Sequence, residues 1–251
     1  MSKLLDKLEK AAQGEAKPFG FATSVSKSAL PQIMTIARLP HEAEAKPLID
    51  GNVDAILFSV VDASKAIATF KKKSKELSSI IWGIEAESIS KKEAEQLVQL
   101  GCDFIALKLI SPAIALMCED SLGKLITASP SIDDSLISAL NVMDVDAVVI
   151  EEDASVKTIT LERLMMYHRI TAMVQQPILM SLPIDLAKEN LVALHDAGIN
   201  GLILDTATDK KIAELKKAIE ALPKNKAAKN RKKRLNASLP NISSPSYEDE
   251  S

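Results

Sequence analysis

The sequence predicts an α/β fold in which eight parallel strands close into a barrel. Eight short apolar runs alternate with helical stretches along 251 residues, which suits a barrel of eight strand–helix units. The runs are too short for typical helices and are rich in Ile, Val and Leu, as buried parallel strands are. They are Ile33–Ala37, Ala55–Val60, Ile80–Ile84, Phe104–Leu107, Leu125–Ala128, Ala147–Ile150, Ile178–Met180 and Leu202–Leu204.

The stretches between the runs have the patterns of helices. Ser90 and Glu93 form a capping box, which predicts a helix that begins there and ends at Gly101. The stretch 185–198 predicts a second helix, because its leucines fall near one face. Strands that alternate with helices specify a parallel sheet with right-handed crossovers. An open, doubly wound sheet is the alternative to the barrel.

A weak fourfold repeat favours the closed barrel. A polar residue precedes each even-numbered strand: Asp54, Asp103, Asp146 and Asn200. Counted from these positions, one alternating set of strand residues is uniformly large, as expected for side chains that pack outward onto helices. The other set mixes small and large residues, as expected inside a barrel. This inward set is Ala55, Leu57, Phe104, Ala106, Ala147, Val149, Gly201 and Ile203.

These strand starts and the segment from Asp196 to Asp205 resemble the aldolase-type TIM barrels, including their phosphate-binding branch. The resemblance covers about residues 31–222 and is generic to the superfamily. It implies a (β/α)8 TIM barrel whose site lies at the C-terminal ends of the strands. A fold of this kind implies no particular reaction.

The two ends of the chain are predicted to lie outside the barrel, which spans 31–222. Within residues 1–30, Leu4, Leu5 and Leu8 predict a short amphipathic helix that covers the barrel floor. Residues 223–251 begin with a basic segment, 224–234, and continue through a Ser/Pro/Asn-rich stretch to an acidic end. This composition predicts a disordered tail.

Composition excludes several classes of protein. The net charge of −3 argues against a nucleic-acid binder, and the basic segment contains no aromatic residue on which a base could stack. No apolar run approaches the ~18 residues of a membrane-spanning helix. Two cysteines cannot form a disulfide framework, which is typical of a cytoplasmic protein. The expected partner is a small molecule, and the sequence leaves room for a homo-oligomer.

The candidate site is a ring of polar residues where the strands end. It combines two cations, three carboxylates and three hydroxyl groups around one mouth. The even strands end at Ser59, Lys108, Glu151 and Asp205, and the odd strands at Arg38, Glu85, Ser129 and Ser181. Gly83, Ala106 and Thr127 below them are small enough to leave a pocket.

Lys108 ends an otherwise apolar strand, where partial desolvation favours the neutral, nucleophilic amine. A lysine in this position predicts a lyase or isomerase that acts on a small carbonyl or carboxylate compound by proton transfer or through a Schiff base. Glu85 and Glu151 would be the acid and base, and Arg38 would clamp a substrate carboxylate. Further substrate contacts are expected from the remaining ring members, Ser59, Ser129, Ser181 and Asp205. The alternative is a ligand-binding or scaffold barrel without turnover, in which Lys108 only neutralises the carboxylates.

No cofactor is predicted. Glu85, Glu151 and Asp205 could bind Mg²⁺, but the neighbouring Arg38 and Lys108 would compete for the same oxygens. The loops after strands seven and eight contain no glycine, and their aspartates would repel an anion. Because the superfamily binds phosphate with glycine-containing loops there, this argues against FMN and phosphosugars.

Overall fold

Eight parallel strands close into a single barrel in chain order, and β8 pairs with β1. The computed structural model describes residues 2–13, 32–50, 52–61, 63–112, 121–153, 155–205 and 209–222. The strands are β1 (Met34–Pro40), β2 (Ala55–Val60), β3 (Ile81–Ala86), β4 (Phe104–Lys108), β5 (Gly123–Ala128), β6 (Ala147–Glu151), β7 (Ile178–Pro183) and β8 (Gly201–Asp205). The predicted (β/α)8 TIM barrel is confirmed, and the open sheet is excluded.

The helices in the described ranges lie between the strands, apart from the first, which precedes the barrel, and the last, which follows β8. They are α1 (Lys3–Gln13), α2 (Lys46–Asp50), α3 (Ala63–Leu77), α4 (Lys91–Gln99), α5 (Asp134–Leu140), α6 (Leu161–Met173), α7 (Ile184–Glu189), α8 (Leu191–Asp196) and α9 (Asp209–Glu220). None of the described helices is long and apolar enough to cross a membrane. The predicted tail, 223–251, lies outside the described residues.

The capping box before α4 is confirmed, whereas the single helix predicted over 185–198 is wrong. Ser90 Oγ accepts from the Glu93 N–H, and the Glu93 carboxylate accepts from the Ser90 N–H at 2.9 Å. In the other segment Asn190 separates α7 from α8 with φ −110° and ψ 13°. Its amide donates to the Leu186 carbonyl at 3.0 Å. An asparagine side chain competes in this way with the backbone bonds of a helix, which explains the break.

The alternation along the strands is confirmed. The inward set packs inside the barrel with Met34, Ile36, Leu125 and Leu179, and the outward set packs against the helices. Gly83 shows how tightly the interior is filled, since a Cβ at this position would lie 2.4 Å from the Phe104 carbonyl oxygen. Glycine is therefore required where β3 passes the Phe104 ring.

The polar residues of the repeat join neighbouring strands at the N-terminal end of the barrel. Asp54, Asp146 and Asn200 each make two hydrogen bonds to one residue at the start of the preceding strand. The backbone N–H donates to that residue's carbonyl, and the side-chain oxygen accepts from its N–H. The partners are Thr35 at 2.9 and 2.8 Å, Lys124 at 2.9 and 2.7 Å, and Ile178 at 2.7 and 2.9 Å. The repeat is thus a device that holds strand starts together.

Asp103 departs from this pattern because its carboxylate binds α1. Its backbone N–H donates to the Trp82 carbonyl at 2.8 Å, as the repeat requires. Its side chain instead accepts from Ser2 Oγ at 2.6 Å and from the N–H groups of Lys3 and Leu4 at 2.8 and 2.9 Å. These are unpaired groups of a helix N-terminus, which a carboxylate satisfies well. Leu4 and Leu8, one turn apart on α1, are fully buried in the inner cluster, so the predicted floor helix is confirmed.

Candidate active site at the barrel mouth

Arg38 lies at the centre of the polar residues at the C-terminal end of the barrel. Its Nε is 3.3 Å from Glu85 Oε2, and its Nη1 is 3.0 Å from Glu151 Oε1 and 3.4 Å from Asp205 Oδ1. The Nε contact is an ion pair without hydrogen-bond geometry. The pairing of β1 with β8 sets Arg38 directly beside Asp205, and its side chain reaches Glu85 and Glu151 on β3 and β6 across the mouth. One guanidinium group therefore serves three carboxylates.

The three acids differ in their exposure to solvent. The side chain of Glu85 is 12% exposed, that of Glu151 30% and that of Asp205 43%. Burial raises the pKa of the Asp205 carboxyl above its ordinary value, the charge of Arg38 opposes this shift, and the charge of Glu151 adds to it. Two like charges that share one cation favour a proton on one of them. Of the two acids beside Arg38 Nη1, Glu151 and Asp205, it is Asp205 whose carboxyl group holds a proton more readily than that of an isolated aspartate.

Two of the predicted serines border the carboxylates. Ser59 lies opposite Glu85 in the strand register, and its Oγ donates to Glu85 Oε2 at 3.4 Å. Ser181 is the register partner of Glu151 and is buried. The third, Ser129, lies across an open cleft from them, with its Oγ 2.8 Å from Ser131 Oγ.

Lys108 lies apart from the carboxylates that it was expected to neutralise. It has the inward parity of β4, and its register partner is Thr127. Its backbone N–H donates to Ser111 Oγ at 3.2 Å, but its ammonium makes no ion pair or hydrogen bond with the described residues. Arg38, and not Lys108, neutralises the acids: it lies beside Asp205 across the β1–β8 pair and reaches Glu85 and Glu151 across the mouth.

A cleft of about 700 Å³ opens beside this cluster, between the ends of β6 and β8, the loop after β5 and the start of α6. Its lining includes five carboxylates but only two guanidinium groups, so the cleft is acidic. The lining residues are Arg38, Ser129, Pro130, Ser131, Glu151, Glu152, Asp153, Glu162, Arg163, Met166 and Asp205.

Comparison with known proteins supports the fold and no closer relationship. The chain matches no family model and no curated protein. Among solved structures it is similar to a ligand-free form of tryptophan synthase from M. tuberculosis, with 12% identity over 75% of this chain and 92% of that chain and a TM-score of 0.57. A mutant tryptophan synthase alpha-subunit from Pyrococcus furiosus gives 13% identity, 76% and 96% coverage, and a TM-score of 0.57. A third structure, from Aquifex aeolicus, has 10% identity over 76% of this chain and 92% of that chain, with a TM-score of 0.56.

The chain has the fold of a TIM barrel, which these structures share. The fold implied by the resemblance to the aldolase-type barrels is therefore confirmed. In TIM-barrel enzymes the C-terminal ends of the strands carry the active site. The Arg38 cluster and its cleft occupy that end.

A second polar cluster, in the wall of the cleft that faces α6, was missed by sequence reasoning. Glu152 follows Glu151 with the opposite parity and so faces α6, where its side chain is fully buried. It accepts hydrogen bonds from Arg163 Nη1 and Tyr167 Oη, which lie one turn apart on α6. Burial raises the pKa of the Tyr167 hydroxyl, and its bond to Glu152 adds to the shift. An acid placed directly after an inward strand end, followed by an Arg and a Tyr four residues apart, was the available signal.

The acids proposed as Mg²⁺ ligands surround a guanidinium group. Glu85, Glu151 and Asp205 all approach Arg38, which occupies the space between their oxygens. Within the described ranges, no group of three or more His, Cys, Asp or Glu side chains is arranged to hold a metal ion.

Proposed function

We propose that this aldolase-type barrel is a lyase or isomerase that moves a proton on a small carbonyl compound bound in the mouth cleft. The observation that carries the proposal is the pair formed by Glu151 and Asp205. Both carboxylates lie against Arg38 Nη1 and both line the cleft. Since fold alone implies no reaction, the proposal depends on these side chains and not on the structural neighbours.

The pair suits proton transfer because its members differ in environment. The raised pKa of Asp205 makes it the acid, and the more strongly paired Glu151 is the base. Groups whose environments separate their proton affinities can act as acid and base in one turnover. In this assignment Glu85 and Ser59 position Arg38, so Glu85 takes a supporting role and Asp205 the acid role.

The charge of the cleft narrows the substrate class. Arg38 and Arg163 both face the protein's own acids, so neither is a free clamp for a substrate carboxylate. The excess of carboxylates repels an anion and favours a neutral or amine-bearing carbonyl compound. Ser129, which lines the cleft, would then contact its polar groups, whereas Ser181 is buried beside Glu151.

Deuterium exchange tests the proton transfer without a known product. The chain is incubated in D₂O with a panel of neutral and amine-bearing ketones and aldehydes, and loss of the α-proton signal is followed by NMR. We expect exchange with at least one compound, and removal of the base in Glu151→Gln should slow it by about 10²–10⁴-fold. Asp205→Asn should slow turnover as well. Glu95→Gln, which changes an exposed acid on α4 outside the cleft, is the matched control.

A barrel that binds without turnover is the second candidate. It is favoured by the way Arg38 and its three acids satisfy one another without a ligand. In that case compounds of the panel would bind in the cleft. The wild type would then exchange the α-proton of each compound no faster than Glu151→Gln does.

In a covalent version of the proposed reaction, Lys108 would form a Schiff base with the substrate. Its amine would condense with the carbonyl and release water, and borohydride would then reduce the C=N bond to a stable secondary amine. Mass spectrometry of the trapped peptide locates the adduct. An adduct on Lys108 that is absent in Lys108→Arg supports a covalent route, whereas no adduct leaves proton transfer by the carboxylate pair alone.

A further inference from the structure

An apolar groove continues the mouth cleft along α6. It has a volume of about 710 Å³ and is lined by Ser131, Leu161, Glu162, Met165, Met166 and Arg169. Three of these residues, Ser131, Glu162 and Met166, also line the cleft. The two spaces therefore adjoin one another and share a wall at the start of α6.

The groove exposes apolar side chains that a monomeric surface usually covers. Leu161 is 74% exposed and Met165 is 64% exposed, and the two lie one helical turn apart on the same face of α6. Adjacent large apolar groups on a surface mark a binding site more often than isolated ones do. Methionine side chains adapt to apolar partners of different shape.

The far wall of the groove is held in place by Arg169. Its Nη2 donates to the carbonyls of Pro130 and Ile132 at 3.1 and 2.7 Å, and its Nη1 lies 3.0 Å from Asp134 Oδ1. These contacts fix the loop after β5 against α6. The groove is thus built from two elements tied together, and not from a single exposed helix face.

We propose that the groove binds the apolar part of the ligand whose polar part occupies the cleft. The ligand class is therefore amphipathic, with a carbonyl or amine-bearing head and an alkyl or aryl extension; this inference rests on the function proposed above. The continuity of the two spaces carries it. A ligand site is usually an apolar pocket with a few polar groups. The cleft alone is too polar to fit that description, and the cleft with its groove fits it.

A series of n-alkylamines from butylamine to octylamine tests the inference on the full chain. The ammonium head suits the acidic cleft, and only the tail length changes. Full burial of one methylene strengthens binding about fourfold, so we expect Kd to fall about two- to fourfold for each added carbon. Calorimetry gives Kd, and NMR of methionine methyl groups labelled with ¹³C reports where the tail lies. The Met165 and Met166 signals should shift with tail length, whereas the buried Met180 should not.

Two matched variants separate the groove from general effects. Met165→Gln should reduce the gain to less than twofold for each carbon and leave butylamine binding unchanged. Met143→Gln makes the same change at a residue that is 43% exposed in the connection between α5 and β6, at the opposite end of the barrel. It should retain the wild-type dependence on length.

Three results would overturn the groove as a ligand site. They are no amine binding, a Kd independent of tail length, or a length dependence that survives Met165→Gln. A sedimentation mass that doubles in the wild type and not in Met165→Gln would assign the face to a second copy instead. If Kd depends on tail length but no compound exchanges deuterium, the groove is a ligand site and the catalytic proposal is wrong. If deuterium exchanges but Kd does not depend on tail length, the catalytic proposal stands and the groove is not a ligand site.

Discussion

The two ends of the barrel use polar residues in opposite ways. At the N-terminal end each acid or amide is matched to specific backbone groups, as when Asp103 accepts three hydrogen bonds from the start of α1. At the C-terminal end three carboxylates share the guanidinium of Arg38 and two of them remain partly exposed. The first arrangement closes the floor, and the second leaves charge available to a ligand.

The comparison shows why the fourfold repeat is a poor guide to chemistry. The repeated residues, such as Asp54 and Asp146, belong to the end of a barrel that governs stability. The residues that can act on a substrate lie one strand length away, at the opposite end. A substitution at the floor should therefore change folding, and one at the mouth should change binding and pH behaviour.

The largest effect is expected from Leu8→Ala in the floor helix. Leu8 is fully buried in the inner cluster, so its loss leaves a cavity and should lower the free energy of unfolding by about 2–5 kcal/mol. Urea unfolding measures the change. Lys10→Ala, on an exposed position of the same helix, should change it by less than about 0.5 kcal/mol. Equal effects from the two variants would mean that α1 does not close the floor.

A smaller effect is expected from Arg38→Met at the mouth. The change leaves Glu85 mostly buried without a counter-charge, and we expect a loss of about 2 kcal/mol at pH 7, below the ~3–5 kcal/mol of a fully buried pair. Urea unfolding at pH 7 measures the loss.

Lys188→Met removes a half-exposed surface ion pair with Glu214 and is the control for Arg38→Met. We expect it to change stability much less, because such pairs are well solvated. A loss at Arg38 as large as that at Leu8 would contradict the distinction between the two ends and make the mouth a structural element.

The smallest effect on the free energy of unfolding is expected from Asp205→Asn, and the sign of this change is what tests the comparison. Because the pKa of Asp205 is raised in the folded protein, its ionised form destabilises the fold above that pKa. The variant should be slightly more stable than the wild type at pH 7 and equal to it at pH 3, as measured by urea unfolding at both values.

Asp153→Asn provides a control of opposite sign. Hydrogen bonds from the Ser155 side chain and backbone lower the pKa of Asp153, so its ionised form stabilises the fold. That stability is present above the ordinary pKa and is lost as the pH falls through the folded value. The variant should be less stable than the wild type at pH 7 and similar to it at pH 3. A loss in both variants would show that Asp205 is held for stability.

Local patterns located the strands better than the helices. β2 has the predicted ends, and the other strands extend the predicted runs by one to three residues at one or both ends. β1 and β3 also begin one residue later than predicted. The helix over 185–198 was predicted as one because its leucine spacing is continuous. The side chain of Asn190, whose local bond to Leu186 outweighs that spacing, divides it.

The sequence alone determined the number of strands, the side of the barrel that each strand residue faces, and the end at which Arg38, Glu85, Glu151 and Asp205 lie. The alternation of side chains along each strand and the fourfold repeat of the strand starts carry that information. Only the tertiary structure decided which cation meets which acid, and that Glu152 is held by α6. The contacts of Arg38 join strands far apart in the chain, and the closure of β8 onto β1, which no local pattern records, sets Arg38 beside Asp205.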